Sequence, residues 1–384
     1  MVAPVCHWPK IRTFFILILV KHSAAGAFFT ILMAFFSACA VAGPSQEPKS
    51  EYALGTVCII NLFDAGRPAL YSGAFARLRE LEDILSANRE DSDLAGVNRN
   101  AGLAPVKVRP ELIEVLSKAL EYAEKSGGFF DPSIGPLVKL WGIGTDEASV
   151  PAGEEIRKAL DLVNYRDIEI NQQEGSVFLK RPGMALDLGA IAKGYAADEI
   201  VRFLAGENLE RAIIDLGGNI FAMGEKKAVK KPRGFFRTLL SGREKESVSA
   251  DEGFWRIGIQ DPRENRGDYL GILEVKNKTI VTSGIYERYF EKDGKRYHHI
   301  LSVESGFPAE TGLLSVTIVA NRSIDADALS TSAFALGWER GRELIESIPG
   351  AEGIFVFDDL AVRLTPGLEN CFTLTASEYH LDKQ

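Results

Sequence analysis

At 384 residues, with 46% hydrophobic and 25% charged side chains, the chain is long enough to bury a full core and has the balance of an ordinary globular protein. Its net charge of -9 argues against general nucleic-acid binding, which needs a basic surface, and no zinc-finger, helix-turn-helix or aromatic RNA-binding pattern appears. No C-x-x-C, histidine cluster or H-E-x-x-H supports zinc or redox chemistry.

The first residues have signal-peptide layout: Lys10 and Arg12, an apolar run, then A-G-A-F-F-T-I-L-M-A-F-F-S-A-C over 25–39. Small Ser37 and Ala38 before Cys39 resemble a bacterial lipobox, although Phe36 stands where leucine is usual, so residues 1–39 read as a leader whose Cys39 becomes a lipidated N-terminus. An uncleaved anchor over 24–42 is the alternative, and both export the remainder. Residues 40–50 form a Pro/Ser/Lys/Glu tether. In the body, Cys58 and Cys371 lie in apolar, strand-like runs and read as two buried thiols, with a disulfide as the alternative.

A first strand is expected over 53–63, then an amphipathic helix over 71–85, where Phe75, Leu78, Leu81 and Leu85 recur at helical spacing. The polar stretch S-A-N-R-E-D-S-D-L-A-G-V-N runs into a short helix, and Pro110 starts a second long helix over 110–125. Residues 129–144, F-F-D-P-S-I-G-P-L-V-K-L-W-G-I-G, are dense in Gly and Pro around one acid and read as a loop, with a structured turn around a buried Trp141 as the plainer alternative. A helix over 154–162 and two polar-edged strands within 167–179 follow.

The centre of the chain is L-D-L-G-A-I-A-K-G-Y-A-A-D over 186–198, answered by D-L-G-G-N-I over 215–220. It reads as a strand end, a tight turn and a helix start, a place where free N–H groups and Lys193 attract anions. It is neither G-x-G-x-x-G nor a Walker loop, and by itself such a stretch is more often just a turn. Eight Lys or Arg lie within 226–245 against one acid, Glu244, so 226–250 reads as an exposed basic insertion. Strands are expected at 255–259, 279–282, 315–320, 353–357 and 371–374, the last two closing the sheet, and a helix at 339–348. T-S-G-I-Y and Y-H-H-I flank a turn at Asp293-Gly294, where His299 has the place of a general base, or more commonly of a structural donor. Finally D-A-D-A-L-S-T-S-A-F-A-L over 325–336 is a helix opening with two acids, and Asp327 and Thr331 share one face. A carboxylate at a helix start with a hydroxyl one turn on suits a hard cation such as Mg²⁺, against the commoner reading of a cap.

Taken in order, F-D-P-S-I-G-P-L-V-K-L-W-G-I-G, L-D-L-G-A-I-A-K-G-Y-A-A-D, I-D-L-G-G-N-I, T-S-G-I-Y-E-R, H-I and A-D-A-L-S-T resemble the bacterial ApbE family of flavin transferases over residues 51–375. The resemblance implies an α+β fold with antiparallel sheets, packed helices and an FAD cleft between lobes, ahead of a 376–384 tail. It implies Mg²⁺-dependent cleavage of the FAD pyrophosphate, with FMN esterified to a Thr or Ser of a target protein. Metal ligands are implied at the Ala190 carbonyl, Asp327 and Thr331; flavin and nucleotide contacts at Leu54, Asn88, Phe130, Asp131, Asp187, Lys193 and Ile300; and catalytic roles for His299 as base, Lys193 and Asp187. Asn88 stands where the family often has an aromatic ring, and H-I-L-S-V-E-S-G replaces the usual H-I-I-D-P-x-T-G, with Ser302 and Val303 for Asp and Pro.

The function expected is an FAD:protein FMN transferase, lipid-anchored on the periplasmic side of the inner membrane. Its partners would be FAD and acceptor flavoproteins of membrane or extracytoplasmic electron-transfer systems, with no nucleic acid. The alternatives are an FAD pyrophosphatase releasing FMN and AMP, and a flavin-binding lipoprotein without turnover.

Overall fold

A computed structural model describes residues 47–64, 67–226, 253–265 and 267–382. The leader with Cys39 and nearly all of the basic insertion lie outside the described residues. The described chain opens as a hairpin, β1 (Lys49–Ala53) and β2 (Thr56–Leu62), where one strand over 53–63 was expected. The turn is Leu54-Gly55, both at positive φ (52° and 71°), which reverses the chain in two residues. Helix α1 (Pro68–Leu85) buries the predicted apolar stripe, α2 (Asp93–Arg99) is capped by the Ser92 side chain, and α3 (Pro110–Lys125) starts on its proline after the short strand β3 (Val106–Lys107).

The stretch read as a loop over 129–144 contains a two-turn helix, α4 (Gly135–Trp141). Pro136 in its first turn and Gly142 at φ 58° just past its end mark it, a signal masked by the density of Gly and Pro around it. Then come α5 (Gly153–Leu160), the hairpin β4 (Ile168–Asn171) and β5 (Ser176–Leu179), α6 (Ala192–Gly206), β6 (Ala212–Leu216) and β7 (Asn219–Met223). The second half adds β8 (Trp255–Gln260), β9 (Tyr269–Val275), β10 (Lys278–Gly284), the hairpin β11 (Tyr289–Lys292) and β12 (Lys295–His298), and β13 (Leu313–Ala320). It ends with α7 (Ser323–Glu346), β14 (Glu352–Phe357), β15 (Ala361–Leu364), β16 (Phe372–Leu374) and β17 (His380–Leu381). The two helices expected at 325–336 and 339–348 are the two limbs of α7, separated by Gly337 at φ 75° and ψ -177°.

The fold is α+β. Nine strands form the main sheet in the order β1-β2-β6-β7-β10-β13-β14-β15-β17, antiparallel except for the last pair. One face packs on α1, α3, α6 and α7 in the largest core. The other is covered by the three-stranded sheet β16-β9-β8 through Ile280, Val319, Ile354 and Val356. Strand 371–374 therefore belongs to the covering sheet and does not close the main one. Strand β13 is buried on both faces, which is why it reads as a nearly continuous apolar run. A third cluster joins α4 and α5 to Leu301, with Phe290 and Tyr297 of the β11–β12 hairpin against it. Both body cysteines are free, Cys58 buried and Cys371 half-buried. Among the described residues no helix is long and apolar enough to cross a membrane.

Candidate functional site

The segment leading into α6 is held from both sides before any helix begins. The Asn98 amide accepts from Leu186 N at 2.7 Å and donates to Leu186 O at 3.0 Å, mimicking a strand partner. On the other side Asp187 N donates to Pro132 O at 2.9 Å and Gly135 N to Ala185 O at 3.1 Å. A Cβ on Gly135 would sit 2.6 Å from that oxygen, so only glycine allows the approach. The Asp187 carboxylate then turns the chain by accepting from Gly189 N at 2.8 Å, which sets Ala190 at the mouth of α6.

Helices α6 and α7 cross here and cap each other. Asp327 accepts from Gly194 N in the first turn of α6 at 2.8 Å, while Asp198 of α6 accepts from Ser323 N at 2.7 Å and Ile324 N at 3.0 Å at the start of α7. A Cβ on Gly194 would meet Ser323 O at 2.3 Å, so this glycine fixes how closely the helices approach. The sequence reading placed Asp327 at the start of its own helix. The structure corrects this: α7 begins at Ser323, and the helix start that Asp327 faces is that of α6. Its neighbour Asp325 does occupy the first turn of α7, where it accepts from Tyr122 Oη at 3.0 Å.

Burial pushes the Asp327 carboxyl above the usual carboxylate range, opposed by Lys193, by the Gly194 N–H and by the Asn219 amide. Asp327 makes no ion pair with a basic side chain among the described residues, and Lys193 Nζ donates to Gly189 O at 3.0 Å. One turn along α7, the Thr331 hydroxyl lies 3.2 Å from Ser283 Oγ of β10, which also contacts Ser330 Oγ at 2.8 Å. Among the described residues no group of three His, Cys, Asp or Glu forms a metal cluster. A cation held here would meet one buried, uncompensated carboxylate and neutral oxygens, a donor set that fits Mg²⁺ and not a thiolate or imidazole metal.

His299 stands where β12 ends. Its N–H and its Nδ1 both lie on Arg288 O, at 3.1 and 3.3 Å. Desolvation of the partly buried ring first, then the Arg288, His298 and Lys193 cations or potential cations, hold it down to about 3, so the imidazole is neutral at physiological pH. The neighbouring His298 is buried, with Nε2 3.2 Å from Ala309 O and its ring edge-on to Phe334.

The other expected contacts are placed more unevenly. Leu54 sits in the β1–β2 turn, tied to Arg288 through Gly55 O at 3.4 Å. Asn88 is exposed on the loop after α1, its N–H on Ser86 Oγ at 3.2 Å. The side chains of Phe130 and Ile300 are buried in the main core. Asp131 spends its carboxylate on Ser133 N (2.8 Å), Ser133 Oγ (2.6 Å) and Tyr165 N (2.9 Å), ordering the loop before α4. Ser302, where the family has Asp, closes the following turn by accepting from Glu304 N at 3.2 Å.

Four residues that order this region carried no role in the sequence reading: Asn98, Asp198, Asn219 and Ser283. Asn219 is 1% exposed and accepts from Ser323 Oγ at 2.5 Å, joining the β6–β7 turn to the helix crossing. The signal for it was a lone amide inside the buried run D-L-G-G-N-I; for the rest, partners more than 40 residues distant in sequence left none.

A sequence model of the ApbE family matches residues 54–355. The chain is 40% identical over 348 residues to a protein of Treponema pallidum (strain Nichols) named FAD:protein FMN transferase, covering 88% of this chain and 92% of that one. A protein of the same name from Klebsiella pneumoniae (strain 342) is 36% identical over 307 residues, covering 80% and 88%. Among solved structures, an ApbE protein of Thermotoga maritima superposes with a TM-score of 0.71 at 29% identity, covering 85% of this chain and 98% of that one. The flavin transferase ApbE of Vibrio cholerae gives 0.68 at 25% identity, covering 88% and 99%.

Proposed function

The chain belongs to the ApbE family, and from that premise we propose that it is an FAD:protein FMN transferase, Mg²⁺-dependent, which attaches FMN to a Thr or Ser hydroxyl and releases AMP. The observation that carries the finer reading is the Asp327 carboxylate, buried without an ion-pair partner among the described residues, with Lys193 acting electrostatically on it and also on the neutral His299. A cation there would supply charge neutralisation to the pyrophosphate and its leaving AMP, and Asp327, Thr331 and the Ala190 carbonyl would hold it.

The protein's own groups do the rest. Lys193 leaves the Gly189 carbonyl for a substrate oxygen at little expense, since it exchanges one hydrogen bond for a charge-assisted one. His299, neutral and oriented by Arg288 O on Nδ1, presents Nε2 to take the proton of the incoming hydroxyl as its oxygen bonds to the FMN phosphorus and the bridging oxygen leaves with AMP. Asp187 and Asn98 keep the Gly189-Ala190 turn in place.

Asn88 favours a second reading alongside the first. An exposed amide on the 86–91 loop provides no ring to cover the flavin, so water reaches the site and some FAD is hydrolysed to FMN and AMP. The leader reading belongs to the same proposal: Cys39, lipidated after Ser37-Ala38, would place the domain outside the cytoplasmic membrane beside electron-transfer acceptors.

Incubation with FAD, Mg²⁺ and a candidate acceptor, followed by mass spectrometry, tests the reading. FMN added to the acceptor is the expected result. AMP release with the acceptor unmodified would leave only the hydrolase, and neither product would overturn both.

A further inference from the structure

Two cations, Lys193 and Arg288, act on the His299 ring, and the side chain of each rests on a backbone carbonyl. Lys193 is on Gly189 O at 3.0 Å. Arg288, an exposed residue, reaches Gly55 O at 3.4 Å, the outer limit of a hydrogen bond, and has no carboxylate within ion-pair distance among the described residues. Its stem runs beside Gly144, where a Cβ would lie 3.3 Å from Arg288 Cδ. Its carbonyl is the oxygen that orients His299. Arg288 thus holds the histidine through its backbone while its side chain reaches past Gly144 to the Leu54-Gly55 turn, and the guanidinium is the loosest of these holds.

We propose that Arg288 is a substrate-contacting residue whose guanidinium leaves Gly55 O to hold the pyrophosphate oxygens of the dinucleotide, together with Lys193. This rests on the reading of the site as one for a flavin dinucleotide. A planar fork suits phosphate oxygens better than a lone carbonyl, and the exchange gives up only a long, neutral-acceptor bond. Arg288, Lys193 and His298 are the charged or titratable groups that act on the His299 ring. An anion drawn between Arg288 and Lys193 offsets their positive field, so the imidazole becomes a stronger base when substrate is in place.

The test is titration of the full-length protein by flavin fluorescence, in EDTA, with FAD and with riboflavin, which lacks phosphate. Arg288→Gln is expected to weaken FAD binding about 10-fold and leave riboflavin binding unchanged, with Arg288→Lys between. The His299 ring protons, identified by their loss in His299→Asn, are expected to titrate at higher pH in Arg288→Gln, and in wild type saturated with FAD. An equal loss for both flavins means a structural role and overturns the proposal. So does unchanged FAD affinity, including the case where only the acceptor KM rises. Wild type that binds FAD no better than riboflavin overturns the dinucleotide reading and this inference with it.

Discussion

The two faces of the main sheet are both apolar over most of their area, and they differ at the helix crossing. Toward the covering sheet, Ile280, Val319, Ile354, Val356 and Val362 make a dry apolar layer. Toward the helices the sheet rests on the largest apolar core, but at the helix crossing β7 and β10 send Asn219, Thr279 and Ser283 into a polar network with Ser323, Asp327 and Ser330. Burying polar groups stabilises less than burying methylenes, and an ionised carboxylate without a basic partner is destabilising. The polar patch at the helix crossing therefore gives up stability to hold a fixed arrangement of oxygens, whereas the apolar cores on both faces supply the stability that makes this tolerable.

The sharpest way to break that contrast is at Asp327. Burial raises its folded pKa, so ionising the carboxyl is harder in the folded chain than in the unfolded one. Asp327→Asn is expected to raise Tm in EDTA while lowering turnover by on the order of 10²-fold or more, about 3 kcal/mol of transition-state stabilisation. Mg²⁺ is expected to raise the Tm of wild type and not that of the variant. A variant with near-normal turnover at low Mg²⁺ would reduce Asp327 to a cap for α6.

His298 lies behind the site and responds to acid. Burial holds its ring down to about 4 from 6.5. As pH falls, the unfolded chain takes up the proton first, so the stability contribution is whole above about 6.5 and is lost on the way to about 4. A shift of that size corresponds to about 3.4 kcal/mol in full, of which roughly 2–3 kcal/mol is lost by pH 4.5. Urea unfolding at pH 7 and pH 4.5 should show wild type losing that much more than His298→Gln, which has no ring to titrate. Equal losses would assign the acid sensitivity elsewhere.

At the helix crossing the two properties meet. Asp198→Ala removes both acceptors at the start of α7 and is expected to destabilise by about 1–2 kcal/mol. Because Asp198 and Asp327 brace the same pair of helices, turnover should fall as well, and Asp198→Asn should recover part of both. Loss of stability with kcat and the Mg²⁺ requirement untouched would show that the crossing does not position Asp327.

Much of this was legible in the residues. The apolar spacing of Leu78, Leu81 and Leu85 gave α1, Pro110 gave the start of α3, Asp293-Gly294 gave the β11–β12 turn, and the helical stretches 325–336 and 339–348, read as two helices, mark the two limbs of α7. These are local signals, set by periodicity and by the dihedral freedom of single residues. The reciprocal caps were not legible: Gly194 and Asp327 are 133 residues apart, and an acid near a helix start looks like its own cap until the crossing is known. The helix α4 and the membership of β16 failed for a similar reason, since neighbouring Gly and Pro hid the first and only a sheet partner decides the second.

The smallest effects separate the faces most cleanly. Ile354 points into the apolar layer with no exposure, and Ser283 points into the polar one. Ile354→Val removes one methylene from a packed core and is expected to destabilise by about 1 kcal/mol, with kcat and Mg²⁺ dependence unchanged. Ser283→Ala removes a hydroxyl that bridges Ser330 and Thr331, but Ser330 keeps its own bond to Asp327 O at 2.9 Å, so little is left unsatisfied. Its stability should change by no more than about 0.5 kcal/mol. Thr331, freed from Ser283, can rotate away from the face it shares with Asp327, and a several-fold higher Mg²⁺ requirement should follow. Denaturation midpoints and Mg²⁺ titrations of turnover on the two variants give a crossed result if the faces are separate in function. If Ile354→Val shifted the Mg²⁺ requirement as much as Ser283→Ala, the sheet would transmit strain between its faces, and the division of labour drawn here would be wrong.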